Sequence, residues 1–196
     1  MIDRRELVHR AAMLMGGALS SGTIAGILAG CASTPHAADA KTAFFTADES
    51  RIVAVMSEHI LPRTDTPGAI DVGVLAFIDK MMAGYYLDQQ RQIVRAGLKR
   101  VETDAKSVHG KAFADLAPDQ QIELMTTYDR EAYEQTLRNR NNPDADPHFF
   151  RLLKELTTVG YFTTEYGASK YLNYAPIPGP YRADIPYSEL GKAWST

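Results

Sequence analysis

Residues 46–60 read TADESRIVAVMSEHI, and the folding pattern of this stretch recurs along most of the chain. Thr46 followed three residues later by Glu49 is a capping-box pattern, in which the hydroxyl accepts a first-turn amide and the carboxylate reaches back to the cap amide. Ile52, Val53, Val55, Met56 and Ile60 then return at helical spacing, so the stretch predicts a helix from about Ala47 to Ile60. Pro62 and the Asp65-Thr66-Pro67-Gly68 cluster end it, because proline has no amide hydrogen and glycine admits a turn.

The same period continues outward. Val74, Leu75, Ile78, Met81 and Met82 predict a second helix from near Ile70 to Gly84. A third runs from Asp88 to about Val108 through Ile93, Val94, Leu98 and Val101, and Gly110 stops it. Pro118 suits a first helical position, and Ile122, Leu124, Met125, Tyr128, Ala132 and Leu137 carry a fourth helix to Arg138. Its cap is weak, since Ala117 has no side-chain oxygen. After a loop from Asn139 to Asp146, a fifth helix is expected with Asp146 as N-cap and Pro147 in its first turn. It continues through Phe149, Leu152, Leu153 and Leu156 to Val159, with Gly160 as its stop. No segment alternates in the manner of a strand, so the expected fold is all-α: a single bundle-like domain of about five helices over residues 44–160.

From Tyr161 to Thr196 the helical period gives way to six of the chain's ten tyrosines and to prolines 176, 178, 180 and 186. This irregular Tyr/Pro-rich tail reads either as a docking segment or as a strap around its own bundle. Tyr171, Tyr174, Tyr181 and Tyr187 are its candidate partner-binding residues. Tyrosine supplies a large contact area with a polar handle, and nearby prolines reduce the entropy lost on docking.

The other end of the chain has the charge pattern of an export signal. Arg4, Arg5 and Arg10 precede twenty residues, Ala11 to Gly30, without a charged side chain. The run is long enough to cross a bilayer, so a retained anchor is the alternative, but five glycines with Ser20, Ser21 and Thr23 dilute its apolar content and favour a cleaved signal. Arg4–Arg5 resembles a twin-arginine signal, although Asp3 stands where Ser or Thr is usual and Leu7 where Phe is preferred. Leu28-Ala29-Gly30-Cys31 resembles a lipobox, which would make Cys31 a lipidated first residue. Ala38-Asp39-Ala40 is a competing cleavage site before Lys41. The expected layout is a signal at 1–30 and a flexible tether at 31–43. The expected location is the periplasm, with membrane anchoring through Cys31.

Composition excludes several classes of function. Lys and Arg total 21 against 24 Asp and Glu, a formal net charge of −3. No excess of cations is available to neutralise many phosphates, so nucleic acid is not an expected partner. A single cysteine cannot build a disulfide framework, a cysteine zinc site, an iron–sulfur cluster or a C-x-x-C-H haem attachment within the chain. The dinucleotide, P-loop, nucleophile-elbow and H-E-x-x-H patterns are all missing from the sequence. His36, His59, His109 and His148 are not paired at helical spacing. Asp144, Asp146, His148 and Glu155 brush against a calcium-loop spacing, but Phe149 stands where the loop needs glycine. Glu49, Glu58, Asp79 and Glu123 read as solvated helix faces. No residue of this chain is therefore assigned as catalytic, cofactor-binding or metal-ligating.

A longer pattern runs through these elements. Phe44-Phe45-Thr46, Leu61-Pro62, Thr66-Pro67-Gly68-Ala69, Gly73-Val74 and Phe77-Ile78-Asp79 are followed by Phe149-Phe150, Thr157, Gly160-Tyr161-Phe162 and Tyr166-Gly167. In order and spacing, from roughly Phe44 to Pro180, they resemble the gluconate 2-dehydrogenase subunit 3 family. The chain departs from that pattern at Ala117 and in the long Arg138 to Pro147 loop. The resemblance implies an accessory subunit of a periplasmic dehydrogenase acting on a sugar, sugar acid or polyol. A flavin (FAD) catalytic subunit and a multihaem cytochrome c subunit would be its partners and would carry the cofactors. It also implies a route: the folded flavoprotein would cross the twin-arginine translocase on the signal of this chain. The alternatives are a stand-alone periplasmic lipoprotein that binds a small ligand between its helices and, more distantly, an enzyme with an unfamiliar site.

Overall fold

The computed structural model describes residues 43–195 except 143, 176, 178, 181 and 183. Arg4, Arg5, Cys31, the Ala38-Asp39-Ala40 site and Tyr181 lie outside the described residues. Helix α1 spans Ala47–Ile60, α2 Val74–Gly84, α3 Asp88–His109, α4 Pro118–Arg138 and α5 Phe149–Phe162. A 3₁₀ turn, Phe113–Asp115, links α3 to α4, a π-helical turn, Gly167–Tyr171, follows α5, and α6 is one turn at Tyr187–Leu190. The all-α expectation holds for the described residues.

The capping box of α1 forms as its sequence dictates. Glu49 N–H donates to Thr46 Oγ1 at 3.3 Å, and Thr46 N–H donates to Glu49 Oε2 at 2.8 Å. At α4 the missing cap oxygen is offset from the other side: Ala117 N–H donates to Gln120 Oε1 at 3.1 Å, half of a capping box. Helix α2 begins four residues later than expected. Gly73 is its N-cap at φ 77°, and residues 69–73 form a hydrogen-bonded turn with Val74 N–H donating to Ala69 O. A left-handed residue at that point breaks helical continuity, and glycine is the residue that adopts it without strain.

Helix α5 packs against each of α1, α2, α3 and α4 and is the centre of the bundle. Its sequence explains this position. Phe149, Phe150, Leu152, Leu153, Leu156, Thr157, Gly160 and Tyr161 are all buried, a stripe of adjacent pairs much wider than the single face of a surface helix. Around it lie Val53 and Met56 of α1, Val74, Ile78 and Met82 of α2, Leu98 and Val101 of α3, and Met125 and Tyr128 of α4.

Both expected boundaries of α5 are corrected. Asp146 is not the cap: His148 is, with Nδ1 accepting from Phe150 N–H at 3.2 Å. Asp146 Oδ1 instead accepts from Gln89 at 2.6 Å, and Pro147 precedes the helix. Gly160 does not stop the helix, which continues to Phe162. A methyl group there would lie 2.7 Å from Phe77 Cδ1, so glycine serves a close helix–helix approach and the turn falls at Thr163. The helical domain accordingly extends two residues into the expected tail.

The face of α4 also differs from its apolar pattern. Ile122 and Leu137 point to solvent, whereas Gln121 is buried. Burial of that amide is tolerated because both its ends are satisfied. Gln121 Nε2 donates to Phe113 O at 3.1 Å, and Oε1 lies 2.7 Å from His59 Nε2.

Candidate functional site

Two preformed features meet at one end of the bundle. The first is the loop between α1 and α2, which the sequence presents as a turn cluster and the structure shows to be heavily braced. Glu58 accepts the Arg63 N–H at 2.9 Å and the Ile70 N–H at 3.0 Å, one on each carboxylate oxygen. Arg63 forms a two-point ion pair with Asp71, whose Oδ2 also accepts Gly68 N–H at 2.9 Å. The guanidinium and that amide hold the Asp71 carboxyl below its ordinary range. Glu58 is therefore not merely a solvated face, and neither is Asp79, whose carboxylate accepts Phe45 N–H at 2.9 Å and pins the entry to α1.

The second feature is the C-terminal segment. Tyr161 Oη donates to Pro67 O at 2.8 Å, tying the end of α5 to the braced loop. Tyr171 lies edge-on against Tyr161 and Phe162, with ring centroids 6.2 and 5.3 Å away. Of the four tyrosines expected to bind a partner, Tyr171 is thus partly a packing residue, 45% exposed. Tyr174 and Tyr187 are exposed to 57% and 76%, and Tyr181 lies outside the described residues.

The segment is less irregular than its composition suggests. Asn173 N–H donates to Ala193 O at 2.8 Å, Ser195 N–H donates to Asn173 O at 2.8 Å, and Asn173 Nδ2 donates to Lys192 O at 2.9 Å. The chain leaves the bundle at Asn173, makes the turn α6, and returns to pair with its own start beside Trp194. Neither Asn173 nor Trp194 was singled out by sequence reasoning. The available signal was a side-chain amide able to bond the backbone at the point where periodicity ends.

On the opposite side, α3, α4 and the start of α5 build a charged cluster. Arg100 donates to both oxygens of Glu131 at 2.6 and 2.9 Å and lies over the Tyr128 ring at 5.2 Å. Tyr128 Oη donates to Asp104 at 2.8 Å, and His148 Nε2 is 3.5 Å from Glu131. Burial and the Asp104 hydrogen bond raise the Tyr128 hydroxyl pKa, the Arg100 bond lowers that of Glu131, and burial lowers that of His148. Arg100 serves both carboxylates, with Nε also 3.3 Å from Asp104, so the cluster reads as a brace among the three helices. Beside it lies a groove of about 470 Å³ lined by Tyr86, Gln135, Arg140, Arg151 and Glu155 among others. Asp144, Asp146, His148 and Glu155 do not converge there as metal ligands. Among the described residues no group of three or more His, Cys, Asp or Glu could hold a metal ion, and no helix is long and apolar enough to cross a membrane.

Fold and surface together define a class: an all-helical domain with a braced loop and a displayed aromatic segment at one end. The family described as gluconate 2-dehydrogenase subunit 3 matches residues 47–179, and the chain belongs to this family. It is thereby a subunit-type component associated with a dehydrogenase complex. Comparison with curated proteins gives no match, and comparison with solved structures gives none either.

Proposed function

We propose that this chain is the non-catalytic small subunit of a periplasmic, FAD-dependent gluconate 2-dehydrogenase-like complex. Its work is to bind the folded flavoprotein, carry it through the twin-arginine translocase, and remain attached as a stabilising subunit. Family membership across residues 47–179 carries the reading. Arg4–Arg5 before an uncharged run supports the export role, and Cys31 behind Leu28-Ala29-Gly30 supports lipid anchoring after export. In this scheme FAD belongs to the catalytic subunit and haem c to a multihaem cytochrome subunit. The substrate is a sugar, sugar acid or polyol oxidised by the flavoprotein.

The test is fractionation of cells producing the full chain with Arg4→Lys and Arg5→Lys together. Both this protein and its flavoprotein should be stranded in the cytoplasm, because the translocase reads the arginine pair. A flavoprotein that still reaches the periplasm would end the escort reading. A tagged wild-type chain that brings down no flavin-absorbing polypeptide would favour the stand-alone lipoprotein instead.

A further inference from the structure

The core of the bundle is complete without the C-terminal segment. Among the described residues every buried apolar side chain lies between Phe45 and Tyr161, and the last ring to pack on that core from beyond it is Tyr171. The described residues of the segment 173–195 are nonetheless shaped. Hydrogen bonds of Asn173 to residues 192–195 close the base of a loop, and Arg182 pairs with Glu189 at 3.1 Å on its exposed surface. Between these points Tyr174, Ile177 and Tyr187 stand in water, Ile177 to 89%. A loop that is closed yet leaves three large apolar side chains uncovered gains little for its own chain. The same loop, bound elsewhere, has already lost part of the entropy that docking would cost.

We propose that residues 173–195 form a preformed clasp that docks as one unit onto the flavin-bearing subunit, with Asn173 keeping it closed and Tyr174, Ile177 and Tyr187 buried in the contact. This rests on the functional reading above. Two observations select the occupant. The first limb of the clasp lies within the residues that match the dehydrogenase subunit family, which end at 179, so the clasp is continuous with the family domain. Its charges are Arg182 and Lys192 against Asp184 and Glu189, with no net charge. Tyr187 Oη already donates to Gly191 O at 3.4 Å within the clasp, so the complementary surface is an apolar groove with an acceptor for the Tyr174 hydroxyl, the surface of a protein partner and not of an anionic membrane or polyanion. Binding through such a contact depends weakly on salt.

The experiment uses the full-length tagged chain and the purified flavoprotein, with dissociation constants measured at low and high salt and thermal unfolding recorded for each variant. Asn173→Ala should weaken binding roughly tenfold by unlocking the clasp, and Tyr187→Ser roughly thirtyfold by removing a buried anchor. Neither should shift unfolding of the bundle. Tyr187→Ser guards against a folding artefact, because that side chain touches nothing in the core. Wild-type affinity in both variants would overturn the clasp while leaving the escort reading intact. Loss of self-association with unchanged flavoprotein affinity would also overturn it, in favour of a second copy as occupant. A wild-type chain that binds no flavoprotein would sink both proposals.

Discussion

Gly97 lies in the interior of α3 directly under the Phe149 ring, and a Cβ built there would overlap that ring. Replacing a helix-interior glycine by alanine ordinarily gains about 1 kcal/mol. Here Phe149 is fixed between Tyr128 and His148, at ring distances of 5.4 and 4.8 Å, so it cannot yield freely. Overpacking costs of about 1–3 kcal/mol then outweigh the propensity gain. Gly97→Ala should lower the melting temperature, and a rise would show that the ring is free to move. His148 supplies a pH-dependent counterpart. Its Nδ1 accepts the Phe150 N–H only in the neutral ring, and burial of a side chain only 12% exposed holds its pKa below the ordinary 6.5. A lowered folded-state pKa means that the unfolded chain takes up the proton first. The stabilisation is complete above pH 6.5 and disappears as pH falls through the folded-state value. Wild type should therefore lose stability on acidification relative to His148→Asn, which keeps a capping oxygen without titrating. Parallel melting curves from pH 7.5 downward would contradict this.

Among elements, the loop from Leu61 to Gly73 shows how a turn signal becomes a rigid part. Pro62 and Pro67-Gly68 announce a break in the helix, but the bracing comes from Glu58 behind it and Asp71 ahead of it. Glu58→Gln keeps the shape of the side chain but leaves one acceptor oxygen for the Arg63 and Ile70 amides in place of two. Hydrogen exchange at one of those amides should accelerate. The stability loss should stay near 0.5–1.5 kcal/mol, as for one hydrogen bond at a partly exposed site. Unchanged exchange at both amides would mean that the Arg63–Asp71 pair alone holds the loop. The ends of α5 follow the same logic. Its beginning belongs to His148 because Asp146 is engaged by Gln89, and its end passes Gly160 because Phe77 fills the space a side chain would need.

For the molecule as a whole, the bundle and the C-terminal segment should separate cleanly in a deletion. Ending the chain after Asn173 removes the clasp but no buried apolar side chain of the core. Cooperative unfolding should persist, with a melting temperature within about 4 °C of the full chain, the equivalent of roughly 1 kcal/mol for a domain of this size. Loss of a cooperative transition would show that the segment belongs to the core. The same deletion should abolish recovery of the flavoprotein in pull-downs.

Much of this architecture was legible in the sequence because it depends on local chemistry. Caps, prolines and apolar period placed α1, α3 and α4 to within a residue or so, since a helix is decided by its own turns and by the face it must bury. The order of Phe44-Phe45, Pro67-Gly68, Phe149-Phe150 and Gly160-Tyr161-Phe162 sufficed to indicate the family. Tertiary structure decided what depends on partners distant in sequence. Only packing against Phe77 tells Gly160 from a helix stop, and only the Gln89 contact takes Asp146 away from the cap. Gln121 replaces Ile122 in the interior because Phe113 and His59 satisfy its amide. Asn173 closes the clasp through residues about twenty positions further on, a pairing whose register no local propensity encodes, because it joins two segments that lie far apart in the chain and meet only when the intervening loop closes.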